Sequence, residues 1–163
     1  TANTVMKLSD ILDYILYRAD TPKIALSNEI QIINNYIELE KIRFTDRVDL
    51  DFTTHILSKA IQIPPMLIIP LVENAFKHGV TNSINRSWIK IDIQERNQML
   101  DIVVSNSKSQ TPQKRKNGGI GLLNVRKRLD LLYNDSYKLD ITEKNNHYDV
   151  FLSIPVNQQI KND

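Results

Sequence analysis

Four polar side chains of complementary chemistry fall within six residues of this chain: Glu73, Asn74, Lys77 and His78. On a helix, Asn74 lies three residues from Lys77 and four from His78, so these three project together. An Asn amide oxygen is a hard, neutral ligand suited to Mg2+, an ion that keeps waters and takes few protein ligands plus phosphates. A lysine one turn on offers a point charge to phosphate. An acid beside them could order the metal's waters. That chemistry is nucleotide and metal binding. The plainer alternative is a solvated helix face on which Glu73 and Lys77 form an i,i+4 ion pair worth about 0.3 kcal/mol. His78 would then be a residue near a helix C-terminus, where positive charge is favoured.

The stretch that carries them, "PPMLIIPLVENAFKHGV" over 64–80, predicts a helix over 66–79. Ile68, Leu71, Val72, Ala75 and Gly79 share a stripe that can meet a sheet. A nucleotide site also needs a phosphate cradle, and "NGGIGLLNVRKRLDLLY" over 117–133 is a candidate. Glycines at 118, 119 and 121 stand directly before an apolar helix. Glycine lets backbone approach a ligand, and a helix N-terminus presents free N–H groups to an anion. Asn124, Arg126 and Arg128 follow within two turns. No Gly-Lys-Ser/Thr follows, so this is not a P-loop, and a plain turn remains the alternative.

The chain has 163 residues, room for one medium domain and an appended element. Hydrophobic residues make up 41% and charged residues 25%, as in ordinary globular proteins. Lys plus Arg number 21 and Asp plus Glu 19, so the net charge of +2 gives no electrostatic case for nucleic acid. No cysteine is present, which excludes disulfides, thiolate metal sites and Cys nucleophiles. That fits a cytoplasmic setting. No apolar run approaches the roughly 20 residues that span a bilayer. The chain starts at Thr1, and the expectation is a piece of a longer protein.

The supporting elements follow from periodicity. Val5, Leu8, Ile11, Leu12, Ile15 and Leu16 predict a helix over 5–18, ended by "DTPK". A second helix is expected over about 27–44, capped by Ser27 or Asn28, with Glu29 near its positive end. Ile30, Ile33, Ile37 and Phe44 form one stripe of it, and Ile32, Tyr36 and Leu39 a second. Such a helix packs between two neighbours, one of which could be another chain. From residue 47 the period becomes two, in "RVDLDF", "SWIKIDI", "LDIVVSN", "YKLDI" and "YDVFLSI". A further helix is expected over about 121–134, with Leu122, Val125, Leu129 and Leu132 on one stripe. The expected fold class is α+β: a two-layer α/β sandwich, its mixed sheet of about five strands covered by helices on one face, preceded by a two-helix arm. The boundary falls near Thr45–Arg47, giving a helical segment over 1–45 and a second domain over 46–163. The polar, basic stretch 107–119 fits no element and reads as a long loop.

Taken together, "PPMLIIPLVENAFKHG" resembles the N box, and "GGIGLLNVRKRL" the G2 box, of histidine-kinase ATP-binding domains. The kinship is with the Bergerat-fold ATPases, among them gyrase and MutL. "PLVENA-x-KHG" with "G-x-GL-x-N-x-R-x-RL" is similar to the LytS-like sensor kinases in particular. "LSDILDYILYR" and "LSNEIQIINNYIELEKIRFTDR" resemble the part of that subfamily after its phosphoacceptor helix, so the likeness covers about 7–156. It implies a protein histidine kinase with ATP and Mg2+ as cofactors. Asn74 would hold Mg2+ against the phosphates, Lys77 and His78 would contact phosphates or the ribose side, and Glu73 would support the metal's waters or phosphoryl transfer. Gly119 and Gly121 would let the loop close over the phosphates, with Leu122, Asn124 and Arg126 completing the binding set. Loop 107–118 would be the ATP lid. Implied partners are the upstream phosphoacceptor helix and a response regulator, with a homodimer in the full-length protein and a membrane only through missing N-terminal segments.

Two departures matter. Strands at this place in the family end in Asp-x-Gly, where the Asp reads the adenine amino group; here Asn106 stands there, with Ser105 the alternative if the register is one residue out. An Asn carbonyl can accept the same hydrogen bond, but without charge. The family's phosphoacceptor His is also missing. His55 and His147 are expected at the surface, His147 in a turn, so the chain should not phosphorylate itself at the family site. An alternative function is a pseudokinase that serves as a dimerisation or signalling module. A plain Bergerat ATPase would carry an acid four residues before the metal-binding Asn, where this chain has Pro70.

Overall fold

The computed structural model describes residues 1–18, 20–81, 83–108 and 120–156, with only the backbone of Ile120. The helix α1 runs over Ala2–Asp13, capped by the Thr1 hydroxyl, and continues as a wider π turn over Tyr14–Arg18. After the expected break, the short strand β1 (Ile24–Ala25) leads into α2 (Leu26–Phe44). Neither Ser27 nor Asn28 caps α2. The cap is Ala25, in extended conformation, without a side-chain bond. The reason is a strand pair that the periodicity does not announce. Ile24–Ala25 pairs with β3 (Gln62–Ile63), and Leu26 N donates to Ile61 O at 2.9 Å, so the helix starts straight off a strand.

A 3-10 turn, Thr45–Arg47, closes α2, and Thr45 takes a φ of 52° there. Then come β2 (Val48–His55), α3 (Ile69–Gly79), β4 (Ser87–Arg96), β5 (Met99–Ser107), α4 (Ile120–Tyr133), β6 (Lys138–Glu143) and β7 (His147–Pro155). The five long strands form one mixed sheet in the order β2-β4-β5-β7-β6. β2 and β4 are parallel and the other neighbours antiparallel.

Register puts one set of alternate residues in the core. Ile91 faces Val104, which faces Val150; Ile93 faces Ile102, which faces Leu152. All six are at most 2% exposed. Ile68, Leu71, Val72 and Ala75 of the α3 stripe, together with Leu122, Val125 and Leu129 of α4, bury against this face. The opposite face carries polar groups that pair with one another: Thr53 Oγ1 donates to Asp92 and Ser153 Oγ to Asp101, both at 2.5 Å. This is the expected two-layer Bergerat sandwich behind a two-helix arm. Ile32, Ile33, Ile37 and Phe44 of α2 belong to the same hydrophobic cluster as the sheet. Burial on two sides of α2 therefore arises within one chain. Phe44 stacks on Phe76 of α3 and Tyr36 meets it edge-on, with centroids 6.4 and 5.6 Å apart. Among the described residues, no helix is long and apolar enough to cross a membrane.

Three local expectations are corrected. His147 opens β7 instead of sitting in a turn, half-buried beside Asp149 at 3.2 Å. Tyr137 precedes β6, held by a bond from its hydroxyl to Asp130. Ile141, on the edge strand β6, is 38% exposed. His55 is exposed, as expected, at the end of β2.

Candidate functional site

Helix α3 starts at Ile69, three residues later than the apolar pattern suggests, with Pro70 in its first turn. Pro fits there because its missing N–H would have no helical partner. The cause of the delay is Met66, whose φ of 56° lies in the left-handed region that a β-carbon disfavours. A helix cannot run through it. No side chain of the neighbouring residues caps α3. Instead, Glu29 reaches over from α2. Its Oε1 accepts from Ile68 N at 2.6 Å and Ile69 N at 3.1 Å. Its Oε2 accepts from the Tyr14 hydroxyl at 2.6 Å. Tyr14 Oη in turn accepts from Met66 N at 2.9 Å, and Met66 O accepts from Arg128 Nη1 of α4 at 3.2 Å. Glu29 is fully buried. Burial pushes its carboxyl above the usual range, against the bonds from Tyr14 and the α3 backbone that pull it down. Burial and the facing carboxylate likewise push the Tyr14 hydroxyl well up.

From that fixed start, α3 presents its polar residues at its second half. Glu73 and Lys77 are exposed, while Asn74 and His78 are half-buried. Lys77 and His78 occupy the last turn, where the helix dipole favours positive charge. Glu73 looks toward α2. After burial, the largest cause, its charge is among those that raise the Glu40 carboxyl, where Arg43 opposes it, and the Tyr36 hydroxyl.

Asn106 lies on the inward face of β5, 1% exposed, paired in register with Ile89 and Tyr148. Ser105 points the other way, opposite Lys90 and Asp149. The inward residue at the end of this strand is thus Asn106. Its amide nitrogen donates to Ser107 O at 2.8 Å. It backs directly on Gly79, where a Cβ would fall 2.8 Å from that nitrogen. The C-terminal turn of α3 and the end of β5 therefore share one spot.

On the second motif, Gly121 is exposed, with nothing within 4 Å of where a Cβ would be. Gly118, Gly119 and the loop 109–119 lie outside the described residues. Leu122 is 4% exposed, with its side chain in the core. Asn124 and Arg126 are exposed. Arg126 stands near the Tyr137 hydroxyl, whose proton affinity it lowers against burial and Asp130. Arg128 is the arginine of this helix that bonds the entry of α3.

Periodicity passes over Tyr14, places Glu29 only near the start of its own helix, and groups Arg128 with Asn124 and Arg126 without assigning it to the entry of α3. One signal was present: Glu29 stands three and four residues before Ile32 and Ile33, an acid on an apolar stripe. A charge on such a stripe needs a buried partner.

Comparison with known proteins agrees with this fold. A family model described as histidine kinase matches residues 1–48. The sensor protein LytS of Streptococcus mutans is 27% identical over 163 aligned residues, covering 93% of this chain and 28% of that protein. The chain spans 40% of the first curated relative it matches, a Bacillus subtilis protein, and 24% of the Escherichia coli sensor histidine kinase BtsS. In fold, the histidine kinase domain of a blue-light activated kinase from Erythrobacter litoralis superposes with a TM-score of 0.62 at 15% identity, covering 97% of this chain and 75% of that one. The histidine kinase ThkA, solved in complex with the response regulator protein TrrA, gives a TM-score of 0.58 at 16% identity, covering 96% and 49%. Motifs, fold and relatives together make the chain similar to the Bergerat-fold domain of LytS-like sensor histidine kinases.

Proposed function

We propose that this chain is the ATP-binding catalytic region of its kinase, and that it passes the γ-phosphoryl group to a histidine on a segment before Thr1. The observation that carries this is the meeting of the α3 polar turn with the end of β5 at Gly79 and Asn106. One polar turn and one buried strand-end amide converge at Gly79 and Asn106, and α4, which packs against α3, carries Gly121 in open space in its first turn.

The residues present fit Mg-ATP. Asn74 would hold the metal through its amide oxygen, the kind of hard donor Mg2+ takes alongside phosphates. Bound there, Mg2+ would neutralise phosphate charge as the γ-phosphoryl transfers. Lys77 and His78 would contact phosphates or the ribose side, and Glu73 would order water beside Asn74. Asn106 would accept from the adenine amino group. Gly119, Gly121, the Leu122 backbone, Asn124 and Arg126 would close on the phosphates at the start of α4, where free N–H groups favour an anion. Catalysis would rest on positioning and charge neutralisation.

The phosphorylated histidine would then pass its group to the aspartate of a response regulator; a solved relative in fold, bound to such a regulator, supports that partnership. A homodimer is supported by the exposed apolar residues of α1 and of the π turn after it, with Val5 at 67%, Met6 at 66% and Leu16 at 64%. We place the boundary of the helical segment near Thr45, where the left-handed residue ends α2. The test is calorimetry with Mg-ATP and Mg-ADP. Binding in the micromolar range supports the reading, and none at millimolar nucleotide sinks it. That second outcome would support a signalling module without catalysis, the reading favoured by an uncharged Asn106 already engaged with Ser107 O.

A further inference from the structure

The entry of α3 is built from groups that would otherwise be costly. Met66 is left-handed without being glycine. The first N–H groups of α3 lack a local cap. Both are answered by side chains from other elements: Tyr14 after α1, Glu29 of α2 and Arg128 of α4. Tyr14 matters most for the arm, because no residue of α1 itself is buried, whereas Tyr14 is 2% exposed. Removing a cap frees orphan N–H groups, and a strained residue persists only while its surroundings hold it. Asn74 stands five residues beyond Ile69, about 7.5 Å along the helix. A tilt of the α3 start moves it directly.

We propose that Glu29 is the positioning residue of the nucleotide site and that Tyr14 ties it to the first helix. The pair sets where α3, and so Asn74, stands. A displacement of α1 reaches the site through the Tyr14 hydroxyl, Glu29 and the Met66 peptide. This rests on the nucleotide-site reading above, and the experiment separates the two.

Amide hydrogen exchange and Mg-ADP affinity are measured on the full chain and on Tyr14→Phe, Glu29→Gln and Glu29→Ala. Tyr14→Phe keeps the ring in the core and deletes only the hydroxyl. It is expected to speed exchange at Met66, Ile68 and Ile69 about fivefold, with β5 amides unchanged. Mg-ADP affinity is expected to fall about threefold in Tyr14→Phe and about tenfold in Glu29→Ala, with Glu29→Gln, which keeps one acceptor oxygen, in between. Unchanged exchange in Tyr14→Phe overturns the link to the first helix. Faster exchange with unchanged affinity overturns the positioning role. If the unmodified chain takes no Mg-ADP, the nucleotide-site reading fails and the positioning role fails with it, while the exchange comparison still decides whether Tyr14 and Glu29 hold α3. Should Glu29→Ala fail to fold, Tyr14→Phe and Glu29→Gln decide alone.

Discussion

Gly79 and Asn106 touch so closely that a Cβ on residue 79 would lie 2.8 Å from the Asn106 amide nitrogen and 2.9 Å from its Cβ. The last turn of α3 can approach the end of β5 only because residue 79 has no side chain. Gly79→Ala is expected to cost about 1–3 kcal/mol through overpacking, since both partners are buried and neither can swing away. A thermal melt checks it, and an unchanged midpoint would mean that the contact relaxes freely.

Asn106→Asp, which introduces the charge that the family resemblance implies at this place, should destabilise the free protein. The amide now donates to Ser107 O at 2.8 Å. A carboxylate there loses the donor and sets oxygen against oxygen in a buried place, at a cost of about 1–3 kcal/mol. If Asn106 reads adenine, ADP should raise the melting temperature of the variant more than that of the native chain. Equal shifts would argue that adenine sits elsewhere.

Asn74 is half-buried, so its truncation should leave the fold intact. Asn74→Ala is expected to weaken Mg2+-dependent nucleotide binding severalfold while leaving metal-free binding nearly unchanged. Identical affinities with and without Mg2+ in both proteins would remove the metal role.

Glu29 gives a pH signature. Burial raises its carboxyl above the ordinary 4.5, so protonation favours the folded state. Its contribution is full below that ordinary value and is lost as pH rises through the raised one. The melting temperature of the native chain, measured against Glu29→Gln, should therefore move in favour of the native chain from pH 7 to pH 5. Tyr14 titrates far above that window. A constant difference would mean that Glu29 titrates as an ordinary carboxyl.

Phe76 fixes α3 against α2 through Tyr36 and Phe44. Phe76→Ala should cost about 3–5 kcal/mol, because a ring only 2% exposed leaves a cavity between two helices. Denaturant unfolding measures it, and a loss under 1 kcal/mol would show that the seam collapses to fill the gap.

The sequence by itself determined the layers. Alternation in "SWIKIDI" and "LDIVVSN" placed Ile91, Ile93, Ile102 and Val104 inward, because a strand has only two faces. Helical spacing put Leu71, Val72 and Ala75 on the buried side of α3 and left Asn74 and Lys77 off it. It also named the residues proposed to meet nucleotide, since their types and order sit in two motifs and at one strand end. Tertiary structure decided what these elements do to one another. It sent Glu29 across to α3 and not to its own helix end, because a buried carboxylate takes whichever donors are unpaired around it. It chose Arg128 over Arg126 for the α3 entry, since residues two apart on a helix point to opposite sides. It delayed α3 to Ile69 by holding Met66 left-handed between Tyr14 and Arg128, a strain visible only when three distant segments meet. Periodicity reports which face is apolar. Which side chains answer the polar groups left inside depends on contacts between residues 15 to 62 positions apart.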